Sequence, residues 1–329
     1  MFYRLFRSYT PALILILAAL TMLYWFSSLI HPPNKMFLFD HTPMPLFRMV
    51  SRIIPPFSAG SVIISLAMVF IQAIVISRMV ERYQLITPLS YLPAFFFLLI
   101  SSAAVSLHRI NPALLANFFL LAAVNRMLST YKKDEWSLRF FESSFLIGAG
   151  SLFYSGTGWM IVLPLIALAL MRPFNWREYF YVPAGFVTAY ILAGSYHYLV
   201  MNDLSAFVRN ISACYFTPSL RWEYVTVSLK WFIIFITVLG FVATVFIIFR
   251  LQIEKVQTRI SMYILIWTGV LLLLIFFFSP SAQLEILQLV AFPAGIILAY
   301  YFKDFKPRFV AEVLFLFLFG IMASIRLWL

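Results

Sequence analysis

The amino-acid sequence predicts an all-α fold, a polytopic bundle of about eleven transmembrane helices that forms one integral membrane domain over residues 1–329. Hydrophobic residues make up 63% of the chain and charged residues only 11%, whereas a soluble domain carries about 25% charged residues. The apolar residues also occur in uninterrupted stretches of about 18 or more, long enough to cross a hydrocarbon core as helices. The solvent for most of this chain is therefore predicted to be lipid.

Hydropathy divides the chain into successive apolar segments, each a candidate helix. They lie at 11–30, 57–77, 88–107, 111–130, 139–154, 158–171, 179–201, 226–249, 261–279, 283–301 and 309–328. The first follows Arg4 and Arg7 but is too long for a signal peptide and has no small-residue cleavage site, so we interpret it as a helix. Only a short Ser/Gly/Thr turn separates 139–154 from 158–171. These two segments are predicted to form either two crossings or one hairpin that does not fully span.

The distribution of basic residues predicts the orientation of the bundle. With the N-terminus in the cytoplasm, about two thirds of the 24 lysine and arginine residues fall in cytoplasmic loops, as the positive-inside rule requires. The net charge of +12 is thus spread between apolar segments and forms no continuous basic patch, which argues against nucleic acid as a partner. Membrane lipid is the expected partner instead.

Two of the predicted outer loops, the first (His31–Pro56) and the fourth (Asn202–Tyr224), are longer than a turn. In the first loop, apolar residues recur at intervals of three and four and leave Arg48 and Arg52 together on the other side; they are Leu46, Met49, Val50, Ile53 and Ile54. This pattern is typical of amphipathic helices that lie in the membrane interface. The alternative is a pair of loops that simply pack on the bundle.

Polar side chains concentrate at the predicted outer face, and they supply the candidate site. The candidate substrate-binding residues are His41, Arg48, Arg52, His108, Arg109, His197 and Arg209. Guanidinium groups form bidentate hydrogen bonds with phosphate, so this set of residues suits a lipid-linked phosphate. Asp40 is the candidate catalytic base for a hydroxyl acceptor. The alternative is that interfacial loops need solvated polar residues whatever they do.

Other polar residues indicate structural roles. Glu142 lies one turn from Arg139 and near Lys132 and Lys133, which predicts an ion pair at the membrane surface. Asn117, inside an apolar segment, is predicted to bridge helices. The histidines have no metal-ligand spacing and Cys214 is the single cysteine, so we expect no metal site and no disulfide. No motif identifies a cofactor, which stays unknown.

The stretch from Asn111 to Tyr198, and above all the RPFNWRE segment at Arg172–Glu178, resembles an uncharacterised family of multi-spanning inner-membrane proteins of Bacteroidota. That resemblance implies the bacterial inner membrane and no known activity. The first outer loop is also similar to that of the C-type glycosyltransferases, which use polyprenol-phosphate sugars and place an acidic residue ahead of interfacial helices, as Asp40 precedes Pro45–Ile54. This chain departs from them in its single acidic residue there.

These observations predict, first, a glycosyltransferase-like enzyme that uses a lipid-linked phosphate donor, such as a polyprenyl phosphate sugar, at the periplasmic face. Asp40 would act as base, with Arg48, Arg52 and Arg109 on the phosphate. The alternative is a non-enzymatic membrane subunit of an envelope complex for secretion, translocation or motility, partnered by other membrane proteins; a lipid or solute transporter is third. The catalytic assignment of Asp40 requires that it lie within about 15 Å of Arg48 or Arg109.

Overall fold

A computed structural model describes residues 11–131, 136–172, 175–217, 226–279 and 284–303, together with the isolated positions 313 and 320. Within these ranges every regular element is a helix, which confirms the all-α prediction. The helices are α1 (Pro11–Ile30), α2 (Leu38–His41), α3 (Pro45–Ile53), α4 (Ala59–Arg82), α5 (Leu92–Ser102), α6 (Pro112–Leu128), α7 (Trp136–Ser151), α8 (Val162–Met171), α9 (Trp176–Met201), α10 (Leu204–Phe216), α11 (Val227–Arg250), α12 (Val256–Phe278) and α13 (Ile286–Lys303). Short 3₁₀ turns at Val105–Leu107, Ser155–Ile161 and Leu251–Ile253 join or extend them.

Five segments of the described residues are long and apolar enough to cross a membrane. They are Leu13–Ile30, Ala59–Arg82, Val227–Ile253, Val256–Phe278 and Ile286–Lys303. Helices α5 and α6 and the Ser155–Met171 segment are apolar but shorter than the roughly 20 residues that a full crossing needs. The predicted number of about eleven crossings therefore stays a prediction. The last predicted segment, 309–328, lies outside the described residues apart from positions 313 and 320.

The short helix α5 lies in the middle of the protein, and every one of its residues is buried. It packs against α13, whose Gly295 approaches so closely that an added Cβ would lie 3.0 Å from the Pro93 carbonyl oxygen and the Phe97 nitrogen. Small residues allow this backbone contact between apolar helices. An eleven-residue helix is stable here because protein, and not lipid, surrounds both of its ends.

Helices α7 and α9 pack just as closely, again through glycine. A Cβ on Gly185 of α9 would lie 2.3 Å from the Phe141 carbonyl oxygen of α7, and one on Gly148 would lie 2.9 Å from the Cβ of Ala189. The segment after α7 turns through Ser155–Ile161 into α8, which alone rises only about 15 Å. The close α7–α9 contact fixes the far end of α9, which forms part of the candidate site.

A buried amide bridge joins α4 to α6, as predicted for Asn117. Asn117 Nδ2 donates to Gln72 Oε1 at 2.9 Å, and Gln72 Nε2 donates to the Leu114 carbonyl oxygen at 2.8 Å. Both amides are fully buried. Because an unpaired amide in an apolar interior is costly, the bridge fixes the register of the two helices.

The predicted ion pair of Glu142 forms with a different partner. Its carboxylate lies 3.4 Å from Nε of Arg126, in the last turn of α6, while Arg139 donates to the Ser129 hydroxyl at 2.9 Å. Arg139, one of the three basic residues considered from the sequence, is not the partner, because the end of α6 packs beside the start of α7 and sequence spacing does not reveal that neighbour. Lys132 and Lys133 lie outside the described residues. We name this end of the bundle the Arg126 end and the opposite one, where α6 begins, the Arg109 end.

Candidate functional site

At the Arg109 end, Asp40 and Arg109 form a buried ion pair. Arg109 Nη1 donates to Asp40 Oδ1 at 3.0 Å and Nη2 donates to Oδ2 at 2.5 Å. Oδ2 also accepts the Phe37 backbone N–H at 2.9 Å, at the start of the four-residue helix α2. The Arg109 side chain is fully buried and that of Asp40 is 11% exposed. The required proximity of Asp40 to an arginine is therefore met through direct contact with Arg109.

The rest of the Arg109 guanidinium is also occupied by the first loop. Nη2 donates to the Lys35 carbonyl oxygen at 3.1 Å. The rings of Phe37, Phe39 and Phe57 surround the guanidinium carbon at 5.7, 5.1 and 4.6 Å from their centroids. Cations over aromatic faces gain energy, and more when they are desolvated. The arrangement fixes the loop on the bundle. Of the three guanidinium nitrogens, Nε is the one that has no hydrogen-bond partner among the described residues.

His108 lies next in sequence but in a separate environment between α1 and α5. Its ring stacks on Trp25 at 3.9 Å with an interplanar angle of 8°. Nε2 lies 2.8 Å from the Ser102 carbonyl oxygen, and Nδ1 lies 2.9 Å from the Ser28 hydroxyl. Since a carbonyl only accepts, Nε2 is the donor to Ser102, and Nδ1 shares a hydrogen bond with the Ser28 hydroxyl. Both ring nitrogens are thus engaged within the protein, and His108 is fully buried.

The second feature at this end is a cavity of about 630 Å³ between α3, the C-terminal part of α9 and α10, which we name the α3–α10 cavity. It is lined by Pro45, Leu46, Arg48, Met49, Arg52, Ala193, Tyr196, His197, Val200, Asp203, Ala206, Phe207 and Asn210. Helices α3 and α10 lie within the two long loops noted in the sequence. Their position in a membrane interface stays a prediction.

Side-chain hydrogen bonds hold α10 against the first loop. Arg48 Nη2 donates to Asn210 Oδ1 at 2.7 Å, and Asn210 Nδ2 donates to the Pro43 carbonyl oxygen at 3.4 Å. One turn further on, the Cys214 thiol donates to the Thr42 carbonyl oxygen at 3.3 Å. The two loops therefore form one unit, and Arg48 is oriented at the cavity wall by its amide partner.

The ionisable groups of the α3–α10 cavity favour an anion. Arg48 and Arg52 lie one turn apart on α3, and the lining of the cavity includes one carboxylate, that of Asp203. Asp203 caps α10: it accepts the Ala206 N–H at 2.9 Å and the Ser205 hydroxyl at 2.7 Å, which lowers its pKa. The Asp203 carboxylate thus already accepts hydrogen bonds at the start of α10, while Arg48 and Arg52 supply the positive charge of the cavity lining.

His197, in the lining of the same cavity, has a ring nitrogen without a hydrogen-bond partner in the part of the chain that the structure describes. Its Nδ1 is buried and has no hydrogen-bond partner among the described residues, and its ring lies 5.3 Å from that of Phe207 across the cavity wall. Buried polar atoms are usually hydrogen-bonded, so such an atom beside a cavity indicates a place for a ligand's polar group. Leu46, Met49 and Val200 supply an apolar wall to the same cavity.

The predicted site residues thus fall into separate places. Arg48, Arg52 and His197 line the cavity, Asp40 pairs with Arg109, and the remaining three lie elsewhere. His41 and Arg209 are exposed, the latter donating to the Ser205 hydroxyl at 3.4 Å, and His108 stacks on Trp25. Sequence reasoning missed Asn210, whose signal would have been its position three residues after Phe207 on one face of α10. Within the described ranges no group of three or more His, Cys, Asp or Glu side chains is placed to hold a metal ion.

Comparison of this chain with protein-family models, with curated proteins and with solved structures gives no match in any of the three. The family resemblances described above therefore stay predictions. The α3–α10 cavity and the Asp40–Arg109 pair at the Arg109 end are the features that indicate a function.

Proposed function

We propose that the α3–α10 cavity binds the phosphate of a lipid-linked donor, and that the chain is a glycosyltransferase-like membrane enzyme acting on that donor. The observation that supports this most directly is the combination in one cavity of two arginines, an unpartnered histidine nitrogen and an apolar wall. Its volume of about 630 Å³ lies in the range of about 300–1,000 Å³ typical of ligand sites.

The two kinds of wall match the two parts of such a donor. Guanidinium groups form charge-assisted hydrogen bonds with phosphate oxygens, and Arg48 is held in place by Asn210 for that purpose. The apolar side chains Leu46, Met49 and Val200 offer a surface to the polyprenyl chain. A free sugar phosphate would leave that surface without a partner, so a phosphate carried on a lipid fits better.

In the proposed reaction the hydroxyl oxygen of an acceptor attacks the anomeric carbon of the sugar. The bond from that carbon to the phosphate oxygen breaks, and the leaving phosphate takes the electron pair and the negative charge. Arg48 and Arg52 stabilise that charge as it develops. The hydroxyl proton must pass to a base within hydrogen-bond reach.

Two residues are candidates for this base. Asp40 was assigned from the sequence, but its carboxylate accepts hydrogen bonds from Arg109 and the Phe37 N–H and does not line the cavity. As a base it would require the pair to open. His197 lines the cavity, and its Nδ1 has no hydrogen-bond partner among the described residues, so we assign the role of base to His197.

The test is native mass spectrometry of the protein purified in mild detergent, titrated with undecaprenyl phosphate. We expect binding to weaken about tenfold or more in Arg48→Ala and in Arg52→Ala, because a hydrogen bond to a charged group contributes about 1.5–3 kcal/mol. Asn210→Ala removes the bond that orients Arg48 and leaves both charges in the cavity, so it should weaken binding less than Arg48→Ala does. Arg209→Ala, an exposed arginine of α10 outside the cavity, should leave binding unchanged.

Equal binding by the wild type and both arginine variants would contradict the proposal. If the purified protein also carries stoichiometric partner proteins and no lipid phosphate, the alternative of a non-enzymatic subunit of an envelope complex is favoured. Binding of undecaprenyl phosphate without transfer of any sugar in membranes would instead favour a lipid transporter.

A further inference from the structure

A second cavity, of about 210 Å³, lies between α1, α4 and α5 toward the Arg126 end. It is lined by Ile14, Leu17, Phe70, Ala73, Ile74, Ser77, Arg78, Glu81, Tyr91, Ala94 and Leu98. The α3–α10 cavity shares none of these residues and lies at the opposite end of the bundle. An engineered cavity of about 150 Å³ holds benzene, so this one has room for a small headgroup.

The lining of this second cavity changes from apolar to polar along α4. Phe70, Ala73 and Ile74 come first, and Ser77, Arg78 and Glu81 follow toward the end of the helix. From Phe70 to Glu81 the helix rises about 16 Å. A glycerophospholipid has the same order along the membrane normal, with acyl chains toward the bilayer centre and the headgroup at the surface.

Ser77 provides an independent indication of a ligand. Its side chain is more than nine-tenths buried, it lines the cavity, and its hydroxyl has no hydrogen-bond partner among the described residues. In helices a serine hydroxyl commonly donates to a carbonyl one turn earlier, as Thr237 and Thr268 do here. A buried hydroxyl without such a hydrogen bond indicates a place for a polar atom supplied from outside the chain.

The charges of the cavity specify the kind of headgroup. Arg78 and Glu81, one turn apart on α4, give the lining both a guanidinium group and a carboxylate. A headgroup that is only anionic would lie against the Glu81 carboxylate. The quaternary ammonium of choline has no N–H to donate to that carboxylate, whereas a primary ammonium donates up to three hydrogen bonds.

We propose that this cavity binds the headgroup of a zwitterionic phosphoethanolamine lipid, with its phosphate on Arg78 and Ser77 and its ammonium on Glu81. Basic pockets between membrane helices are known sites for lipid headgroups. The site would let a structural lipid join α1 to α4 and α5, whose contacts otherwise leave this gap.

The test is native mass spectrometry in detergent with phosphatidylethanolamine, phosphatidylglycerol and phosphatidylcholine of identical acyl chains at equal concentration. The wild type should retain phosphatidylethanolamine preferentially. Arg78→Gln and Ser77→Ala should weaken that binding, the former about tenfold. Glu81→Gln, nearly identical in shape, should abolish the preference over phosphatidylglycerol. Arg82→Gln is the matched control, because Arg82 is exposed beside the Tyr83 ring and does not line the cavity.

Equal retention of the three lipids by the wild type, or a preference that survives in Glu81→Gln, would overturn the assignment. Equal loss in Arg82→Gln and Arg78→Gln would do the same, since it would show only a general dependence on surface charge. If Arg78→Gln fails to fold, the lipid preferences of the Glu81→Gln and Ser77→Ala variants still test the assignment. Undecaprenyl phosphate binding should be unchanged in all of them, which separates this proposal from the one for the α3–α10 cavity.

Discussion

The Asp40 carboxylate accepts hydrogen bonds from both terminal nitrogens of the Arg109 guanidinium, at 3.0 and 2.5 Å, although the two residues are 69 positions apart in the sequence. Three phenylalanine rings surround the cation, so little water screens the pair. The pair fixes the first long loop to the start of α6, and that loop carries α3 with its two cavity arginines. The position of the candidate phosphate site therefore depends on a contact that lies outside the cavity.

Breaking this pair from one side should destabilise the protein strongly. Arg109→Met leaves the partly buried Asp40 carboxylate without its counter-ion, and the expected loss is about 3–5 kcal/mol of the free energy of unfolding. The double variant Asp40→Leu/Arg109→Met should recover part of that loss, because neither charge is then buried unpaired. Denaturant unfolding in detergent measures both, with exposed Arg209→Ala expected to stay within about 0.5 kcal/mol of wild type.

The same variants distinguish two roles of Asp40, holding the first loop in place and acting as the catalytic base. If Asp40 serves only to hold the loop, Asp40→Asn should lower stability and undecaprenyl phosphate binding together, and the double variant should restore both in part. A variant Asp40→Asn of wild-type stability that binds the lipid but transfers no sugar would instead support the catalytic role predicted from the sequence.

A second prediction concerns the close contact of α7 and α9. Gly185→Ala places a methyl group where only 2.3 Å separates it from the Phe141 carbonyl oxygen, so the helices must move apart. We expect a loss of about 1–3 kcal/mol, the usual cost of overpacking. Gly240→Ala on α11 is the matched control, because nothing lies within 4 Å of the added methyl group. Alanine is the better helix former by about 1 kcal/mol, so Gly240→Ala should not destabilise.

Thermal unfolding of these two glycine variants in the same detergent checks the comparison. Similar midpoints for Gly185→Ala and Gly240→Ala would mean that α7 and α9 are not in backbone contact. The orientation of the C-terminal part of α9, with His197 at the cavity, would then lose its structural basis.

The sequence was sufficient for features that depend on local pattern. Apolar stretches lie where helices such as α1 and α13 form, and the four-residue spacing of Arg48 and Arg52 brings both arginines to one cavity. Leu46 and Met49, which were predicted on the opposite side of α3, line the same cavity. Asn117 was predicted to bridge helices because an amide at membrane depth needs a partner, and Gln72 is that partner. In each case the physical reason acts within a few turns of the chain.

The contacts that decide the site act over long separations, and sequence spacing does not reveal them. Asp40 and Arg109 were both predicted to contact substrate, but nothing local indicates that they bind each other. Glu142 pairs with Arg126 on the neighbouring helix instead of Arg139 one turn away. Opposite charges satisfy each other wherever the packing brings them together, and packing is a property of the whole bundle.

A third prediction follows from the cap of α10. The Ala206 N–H, and then the Ser205 hydroxyl, lower the pKa of Asp203 below its usual range. A carboxylate with a lowered pKa contributes stability above its unfolded value of about 3.9, and that contribution is lost as the pH falls through the folded value. Acidification from pH 5 to pH 3 should therefore weaken the attachment of α10 in the wild type.

The Asp203 variants isolate this effect. Asp203→Asn keeps a good N-cap but does not titrate, so its thermal midpoint should fall less between pH 5 and pH 3 than that of the wild type. Asp203→Ala should be less stable than Asp203→Asn at both pH values, because it loses the cap itself. A wild type and an Asp203→Asn variant with the same pH dependence would show that this carboxylate does not stabilise α10.

The final prediction uses Cys214, the single cysteine of the chain, as a reporter of α10. Burial raises the pKa of its thiol to about 11, although the charge of Arg48 acts in the opposite direction, and the thiol donates to the Thr42 carbonyl oxygen. Since only the thiolate reacts, alkylation of the native protein at pH 8 should be slower than that of an ordinary thiol by on the order of 100-fold. The rate should keep rising to about pH 11, and Arg48→Ala should slow it further.

Protein unfolded in dodecyl sulfate provides the reference, because there the same thiol titrates near its ordinary pKa of about 8.5. Mass spectrometry of iodoacetamide-treated protein, sampled over time at several pH values, measures both rates on one residue. A native thiol that reacts as fast as the unfolded one at pH 8 would mean that α10 is not held against the first loop. The α3–α10 cavity would then lack a fixed third wall, and the arginines of α3 would have to bind phosphate without the orientation that Asn210 gives to Arg48.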